Sequence, residues 1–322
     1  MNQTNLKDKF KGTIVGAVAG DALGMPTEYI SQSTLNKHYG GKVTQYQNPH
    51  RDHPNAHLFA GQYTDDGQQI IASAKSLIKQ NGFNIKDFAK SLGEWGHKCD
   101  TIPGYDRYSG GTSLLSTLKL YNGTDPSKSG GHSPTCGAAM RIAPIALFYH
   151  SDENLLTKYT TESTTMTHTN KDAIESALII SHTVRNLLTG KNPLESILEA
   201  RTHINGKLTE NIDYVIRNKN SHPLEIANTI GASELVYQTI PCAISCFLYS
   251  PNSFEETLIN AANLIPGDTD SIACIAGTLT GARNGYEAIP EKFKTKLEDR
   301  ELLETLAEQL FEISQSTNAP AN

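Results

Sequence analysis

Apolar residues recur along most of the chain at the spacing of amphipathic helices, and no convincing run of alternating apolar and polar residues indicates a strand. After Asp66, for example, Ile70, Ala74 and Leu77 fall on one helical face. The pattern predicts helices over residues 6–29, 66–79, 85–97, 112–121, 137–148, 172–188, 193–203, 210–217, 234–248, 253–262, 269–281 and 297–313. We therefore expect an all-α protein.

A single domain is expected, because no linker-like change of composition divides the 322 residues. Its core covers about residues 6–313, and residues 314–322 have the composition of a frayed, flexible tail. Two long loops rich in Gly, Pro, Ser and Asn lie at residues 101–111 and 122–135. Long loops on a rigid scaffold commonly carry function, so both are candidates for a site.

The first predicted helix contains a glycine at every fourth position, namely Gly12, Gly16, Gly20 and Gly24. Each glycine inside a helix costs up to about 1 kcal/mol relative to alanine. Such a row needs a tertiary reason, and we expect either dense packing against another helix or close approach of a ligand. Asp21 and Glu28 fall beside this row, which leaves room for a site next to it.

Composition narrows the class of protein further. A hydrophobic content of 38%, with 19% charged residues, is ordinary for a globular protein. The net charge of −6, with no basic block to offset it, argues against nucleic acid as a main partner. The N-terminus lacks the apolar region of a signal peptide, and no apolar run is long enough to cross a bilayer. A cytoplasmic location is expected, or export by a route that leaves no signal in the sequence.

Two separated acidic elements carry the candidate chemistry: Thr64-Asp65-Asp66 and Asp268-Thr269-Asp270-Ser271. Each stands just before an apolar stretch with helical spacing. Carboxylates and hydroxyls are hard oxygen donors, which magnesium, manganese and calcium prefer. If folding brings the two elements together, the chain can hold one or two hard cations. The alternative is that Thr64 and Asp268 only cap helices while the neighbouring acids complement the helix dipole.

The motifs around these elements resemble the ADP-ribosylglycohydrolases, a family that includes the dinitrogenase-reductase-activating glycohydrolase and the ADP-ribosyl-arginine and ADP-ribosyl-serine hydrolases. The matching segments occur in family order between Gly12 and Pro290. They are residues 16–24 followed by Glu28, residues 61–66, 137–144, 167–168 and 267–271, and residues 277–285 before Ile289-Pro290. The resemblance implies a single compact domain of orthogonally packed helices.

The resemblance also implies roles for individual residues. Two magnesium ions, sometimes manganese, lie at the base of an ADP-ribose cleft in this family. Their implied ligands here are Thr64, Asp65, Asp66, Asp268, Asp270 and Ser271. Glu28 matches a glutamate on a mobile flap, and we expect it to order the attacking water or move its proton. With Asp65 and Asp270, which would act through the metals, it forms the expected catalytic set.

The implied substrate contacts lie in the two long loops and just beyond them. Ser133, Gly137 and Met140 match the segment around the diphosphate and distal ribose, and His168 matches a histidine beside the adenosine. The loop that ends at Gly111 corresponds to a family region facing the bound side chain. In it, Asp106 could pair with a guanidinium, or merely with Arg107 or water.

The expected function is magnesium-dependent removal of ADP-ribose from modified protein side chains, with free ADP-ribose as product. Arginine linkages are placed ahead of serine linkages, because Ser271 matches the ending of the arginine-type hydrolase and Asp106 offers an acid. The alternatives are hydrolysis of serine linkages or of O-acetyl-ADP-ribose, and a binding or crystallin-like structural protein. Three departures from the family pattern bear on the diphosphate region: Gly67 for the usual Thr, Cys136 for Asn, and Pro134-Thr135 for a Gly-containing stretch.

Overall fold

The computed structural model describes residues 3–317, and within that range it contains α-helices, short 3-10 turns and no β-strand. The predicted all-α fold is therefore confirmed, and the helices form a single compact domain. No helix in the described range has the length and apolar character needed to span a membrane.

Seventeen α-helices occur between residues 3 and 317, in the order α1 Gln3–Gly24, α2 Gln32–Tyr39, α3 Asp65–Gln80, α4 Ile85–Thr101, α5 Gly111–Tyr121, α6 Pro126–Ser129, α7 Ala143–Phe148, α8 Glu153–Thr165, α9 Lys171–Leu188, α10 Pro193–Ala200, α11 Lys207–Arg217, α12 Pro223–Ile230, α13 Val236–Tyr249, α14 Phe254–Ala261, α15 Thr269–Asn284, α16 Glu291–Lys294 and α17 Arg300–Thr317. The 3-10 turns are Met25–Thr27, Cys136–Ala138 and Arg201–His203.

Each predicted helix has a counterpart, but α2, α6, α8, α12 and α16 were not predicted. They are short or poor in large apolar residues; α8, for example, is rich in threonine and packs buried hydroxyls such as Thr160. A helix without a clear apolar repeat cannot be predicted from the spacing of apolar residues. The C-terminal prediction also needs correction. Helix α17 continues to Thr317 with Ser314 fully buried, and only residues 318–322 of the predicted tail lie outside the described residues.

Helices α1 and α15 pack in close backbone contact, which explains the glycine row. A Cβ atom added at Gly20 would lie 2.0 Å from the carbonyl oxygen of Ala273, and one at Gly16 would lie 2.7 Å from that of Gly277. The fit is reciprocal, since a Cβ at Gly277 would lie 2.1 Å from the carbonyl oxygen of Gly16. Of the two reasons expected for the glycines, helix packing is the one observed.

The pairing of α1 with α15 is antiparallel, because Gly12 lies beside Gly281 and Gly24 beside Thr269. The C-terminal end of α1 therefore meets the N-terminal end of α15. The Thr27 hydroxyl, just after α1, joins these ends by hydrogen bonds to the Gly24 carbonyl at 2.8 Å and with the Thr269 hydroxyl at 3.1 Å. The N-terminus of α3 reaches the same place through Asp21 of α1, so that three helix ends converge.

Candidate active site

The convergence of these helix ends brings the two acidic elements to one cavity of about 930 Å³. Its lining includes Glu28 and five of the six proposed metal ligands, namely Asp65, Asp66, Asp268, Asp270 and Ser271. The sixth proposed ligand, Thr64, is fully buried directly before α3. The Ser271 hydroxyl donates to Asp66 Oδ1 at 3.5 Å, which is a direct contact between the two elements.

Helix capping accounts for only part of this arrangement. Thr64 is the N-cap of α3, and its hydroxyl accepts from the backbone N–H of Asp66 at 3.4 Å. Asp268 occupies the same position before α15, but its side chain makes no capping hydrogen bond. A carboxylate buried at a helix start without capping it needs another partner. The capping alternative is thus observed for Thr64 and not for Asp268.

Asp21 holds the first acidic element in place and was not among the predicted site residues. Both of its carboxylate oxygens accept from the backbone N–H of Thr64, at 2.9 and 3.0 Å, and one also accepts from Gly67 at 2.8 Å. Burial and then the nearby Asp270 raise the pKa of Asp21 to about 7. Its position beside the glycine row was the signal available in the sequence, but that signal did not identify its partner.

A second layer of hydrogen bonds orients Asp65. The side-chain amide of Gln69 donates to Asp65 Oδ2 at 2.8 Å, and the guanidinium of Arg141 donates to Gln69 Oε1 at 2.9 Å. Arg141 is buried and also donates to the carbonyl of Gly137 at 2.6 Å. A buried cation is thereby placed behind a buried acid, and burial lowers the pKa of Arg141 to about 10.

Glu28 lies among the carboxylates of the two acidic elements. Carboxylate oxygens of Glu28, Asp268 and Asp270 all fall within 4.8 Å of one another, and all three side chains are buried. The family resemblance implied a position for Glu28 on a mobile flap, and no sequence pattern predicted its contact with Asp268 and Asp270. The glutamate is close enough to the other two carboxylates to share a cation with them.

The electrostatics of the cluster favour a bound cation. Burial, followed by the charges of neighbouring carboxylates, raises the pKa of Glu28, Asp65, Asp66 and Asp268 well above the usual range. Two buried oxygens, Glu28 Oε2 and Asp66 Oδ2, have no hydrogen-bond partner among the described residues. Buried polar atoms are normally satisfied, and hard cations bind several carboxylate oxygens at once. The cluster therefore has the donor set of a metal site.

Four of the proposed substrate contacts, Gly111, Ser133, Gly137 and Met140, line the same cavity. Gly137 is tightly enclosed, since a Cβ atom there would lie 2.5 Å from the hydroxyl of Ser113. This loop therefore presents backbone, not side chain, at Gly137. Cys136, which replaces the Asn usual in the family, also lines the cavity. Its thiol donates to Asp268 Oδ2 at 3.2 Å.

Two further proposed contacts, His168 and Asp106, do not line the cavity. His168 lies behind the wall, where its ring nitrogens bond the hydroxyls of Thr135 at 3.1 Å and Thr167 at 2.9 Å. Burial lowers its pKa to about 3, which keeps the ring neutral. Asp106 accepts from the backbone N–H of Ser109 at 3.0 Å and so stabilises its own loop. Arg107, the alternative partner of Asp106, pairs with Glu298 instead.

A second group of metal-ligand residue types, Glu153, His182 and His203, lies outside the cavity. The two imidazole rings are stacked, with centroids 3.7 Å apart and planes 20° apart. One ring nitrogen of each histidine and one carboxylate oxygen of Glu153 lie within 4.8 Å of one another. Glu153 is also engaged by Arg185 at 3.3 Å. Ring stacking and the ion pair with Arg185 account for the positions of these side chains without a metal.

Comparison with known proteins agrees with this geometry. The ADP-ribosylglycohydrolase family model matches residues 2–320. An uncharacterized protein of Archaeoglobus fulgidus is 34% identical, over 96% of this chain and 97% of its own length. Human ADP-ribosylhydrolase ARH3 is 28% identical, over 96% of this chain and 94% of its own length. ADP-ribosylarginine hydrolase Tri1 of Pseudomonas putida is 24% identical, over 95% of this chain and 78% of its own length.

A solved structure supports the fold. It is described as an ADP-ribosylglycohydrolase-related protein complex and superposes with a TM-score of 0.75 at 24% identity, over 97% of this chain and 99% of that one. Fold, acidic cavity and sequence relationship agree over nearly the whole length. The chain belongs to the ADP-ribosylglycohydrolase family and is a glycohydrolase that acts on ADP-ribosylated substrates.

Proposed function

We propose that this hydrolase removes ADP-ribose from modified arginine side chains of proteins and that it depends on two magnesium ions, for which manganese can substitute. The observation that carries the metal requirement is the cluster itself. Four buried carboxylates, those of Asp65, Asp66, Asp268 and Asp270, face one cavity beside Glu28, and the Oδ2 atom of Asp66 lacks a hydrogen-bond partner within the described range. Like charges this close oppose one another unless cations lie between them.

The two sides of the cavity would supply ligands to the metals. Thr64, Asp65 and Asp66 lie on the side of α3, and Asp268, Asp270 and Ser271 on the side of α15. Divalent cations bound there would orient the ribose hydroxyls and lower the pKa of water next to the glycosidic carbon. Asp65 and Asp270 are assigned as ligands and not as bases, because a carboxylate bound to a metal is a poor proton acceptor.

The remaining residues of the cavity would position the substrate. In the hydrolysis, water adds to ribose C1, the bond from C1 to the side-chain nitrogen breaks, and that nitrogen gains a proton. Glu28 lies beside Asp268 and Asp270 and is not among the proposed ligands, so its Oε2, which has no hydrogen-bond partner among the described residues, would accept the proton of the attacking water. The backbone around Gly137 would contact the diphosphate, where a side chain would collide with Ser113.

The choice of arginine rests on fewer observations. Two relatives, from Pseudomonas putida and Serratia proteamaculans, are named ADP-ribosylarginine hydrolase Tri1. Ser271 lines the cavity at the end of the second acidic element, where it matches the arginine-type pattern. The arginine assignment does not depend on Asp106, which does not line the cavity and whose Oδ1 accepts from Ser109 within its own loop. Four vertebrate relatives are named ADP-ribosylhydrolase ARH3, a name that specifies no linkage.

One comparison tests the proposal. The purified protein would be incubated with matched peptides ADP-ribosylated on arginine or serine and with O-acetyl-ADP-ribose, and released ADP-ribose would be measured with magnesium, with manganese and with a chelator. We expect faster release from the arginine peptide and none with the chelator. Faster release from the serine peptide or from the metabolite would overturn the arginine assignment, and undiminished release with the chelator would overturn the metal requirement.

A further inference from the structure

Tyr29 follows Glu28 directly and adopts an unusual backbone conformation. Its φ angle is 50°, in the left-handed region that is sterically unfavourable for a residue with a Cβ atom. Its side chain lines the cavity and is 43% exposed, so burial of the ring does not explain why the conformation is kept. A local interaction must hold the residue in place.

That interaction is a two-way hydrogen bond with Glu234, which lines the cavity too. The Tyr29 hydroxyl donates to Glu234 Oε2, and it accepts from the backbone N–H of Glu234 at 3.0 Å. The backbone N–H of Tyr29 donates to the carbonyl of Gly267 at 2.8 Å, immediately before Asp268. Tyr29 is thus tied both to the loop before α13 and to the loop before α15.

The same two loops are joined to each other and to the opposite wall. The backbone N–H of Asp268 donates to the carbonyl of Ala232 at 2.8 Å, and that of Cys136 donates to the carbonyl of Glu234 at 3.0 Å. The hydrogen bonds form a closed ring that connects the segment carrying Glu28, a metal-binding element and the wall around Gly137. The Tyr29–Glu234 bond is the side-chain link between the segment carrying Glu28 and the loop before α13, and the bond from the Cys136 thiol to Asp268 is a second side-chain link, at the opposite wall.

Glu28 needs such support. Its carboxylate is buried beside those of Asp268 and Asp270, and its Oε2 has no hydrogen-bond partner among the described residues. Its like-charged neighbours repel it, so its position has to come from the backbone. We propose that Tyr29 and Glu234 are positioning residues for ADP-ribosyl hydrolysis, and that their bond holds Glu28 against the metal-binding carboxylates. The inference rests on the role proposed above for Glu28 and does not depend on the linkage that is cleaved.

The test compares Tyr29→Phe, which removes only the hydroxyl, with Glu234→Ala, the double variant and the conservative Glu234→Gln. Turnover is measured on whichever ADP-ribosylated substrate the wild type cleaves, together with KM and the thermal midpoint. We expect kcat to fall about tenfold or more in each single disruptive variant, as when a group that orients a catalytic residue is lost. KM and the thermal midpoint should stay near the wild-type values. Because both substitutions break the same hydrogen bond, kcat of the double variant should be no lower than that of the slower single variant.

Glu234→Gln keeps an oxygen that can accept from Tyr29, so it should retain most of the turnover. Tyr121→Phe is the matched control, since this tyrosine is also exposed but stacks on His97 outside the cavity. Wild-type kcat in Tyr29→Phe, multiplicative losses in the double variant, or losses that follow the thermal midpoint would overturn the inference.

A second readout does not require turnover. Amide hydrogen exchange of residues 25–31 should be faster in Tyr29→Phe than in the wild type, because the segment loses its side-chain tether. Unchanged exchange would overturn the inference even in an active enzyme. If the wild type releases no ADP-ribose from any substrate, the proposed function fails by itself, and the exchange measurement still decides whether the tether exists.

Discussion

The residue-scale problem in this protein is the concentration of buried negative charge. Asp21, Glu28, Asp65, Asp66, Asp268 and Asp270 are all buried, and Arg141, also buried, reaches the group only through Gln69. Removing an unpaired carboxylate from water is costly, and the raised pKa values of these groups express that cost. Such a cluster is kept for chemistry and not for stability.

Removing a single ligand should therefore abolish activity without unfolding the protein. We expect Asp65→Ala or Asp270→Ala to lower the rate of ADP-ribose release by more than about a hundredfold, because each change removes one oxygen ligand. Circular dichroism should still show a helical protein, since each change also relieves repulsion within the cluster. Asp100→Ala, at an exposed position on α4, is the control. Near-normal release at limiting magnesium in either site variant would refute the two-metal assignment.

Asp21 should act on the metals through the backbone. Asp21→Asn keeps the shape of the side chain but replaces one of two accepting oxygens with a donor that faces the N–H groups of Thr64 and Gly67. We expect metal affinity, measured by calorimetric titration, to fall about tenfold to a hundredfold, as when other second-layer partners are lost. Turnover at limiting magnesium should fall in parallel. Unchanged affinity would mean that Asp21 does not position the first acidic element.

At the scale of secondary-structure elements, the contact between α1 and α15 sets the geometry of the site. Glycines on both helices let the backbones approach, and the antiparallel arrangement brings Glu28 and Asp268 to the same end. The cost in helix propensity along α1 is offset by this contact. Helix packing and site geometry therefore depend on the same residues, and a packing defect in α1 should also displace the acids.

A single methyl group should be enough to disturb this contact. In Gly20→Ala the new Cβ would lie 2.0 Å from the carbonyl oxygen of Ala273, so the two backbones must separate. We expect the free energy of unfolding in urea to fall by about 3 kcal/mol, in the upper range for overpacked cores. Gly110→Ala is the matched control, because its φ is −61° and nothing lies within 4 Å of the added Cβ. Equal stability of the two variants would show that the close contact is not formed.

At the scale of the whole molecule, stability should depend on pH through buried neutral histidines. Burial lowers the pKa of His182 to about 3, with a further contribution from the neighbouring His203. His53 and His168 are lowered in the same direction. Because these folded-state values lie below the value of about 6.5 for an unfolded chain, the stabilisation is present above pH 6.5. It is lost as the pH falls from 6.5 toward 3, since the unfolded chain then binds protons that the folded protein does not.

His182→Gln should make the acid side of the stability profile shallower. Between pH 6.5 and pH 5, one such histidine contributes up to about 2 kcal/mol to the loss of unfolding free energy. We therefore expect the variant to lose less stability over this interval than the wild type, in urea titrations at several pH values. The slope is compared and not the absolute stability, because the substitution also removes the stack on His203. His132→Gln, at an exposed position, should leave the slope unchanged.

Local sequence patterns were sufficient for twelve of the seventeen helices between residues 3 and 317 and for the kind of chemistry. Apolar spacing predicted most of the longer helices, because in an amphipathic helix the apolar residues recur at helical spacing along the face that is buried. The short or polar helices such as α8 have no clear apolar repeat of this kind. The acidic elements and the glycine row could be recognised because each is contiguous or strictly spaced in the chain. The family resemblance then supplied roles for single residues.

Only the tertiary structure decided which of those residues meet. Asp21 bonds Thr64 across 43 positions of sequence, and Ser271 bonds Asp66 across 205. No local pattern records such contacts, because they depend on how α1, α3 and α15 pack together. The same packing places Glu28 within the cluster and leaves Asp106 and His168 outside the cavity. The sequence by itself determined the helices with a clear apolar repeat and the type of ligands, and the packing of the helix ends decided the composition of the site.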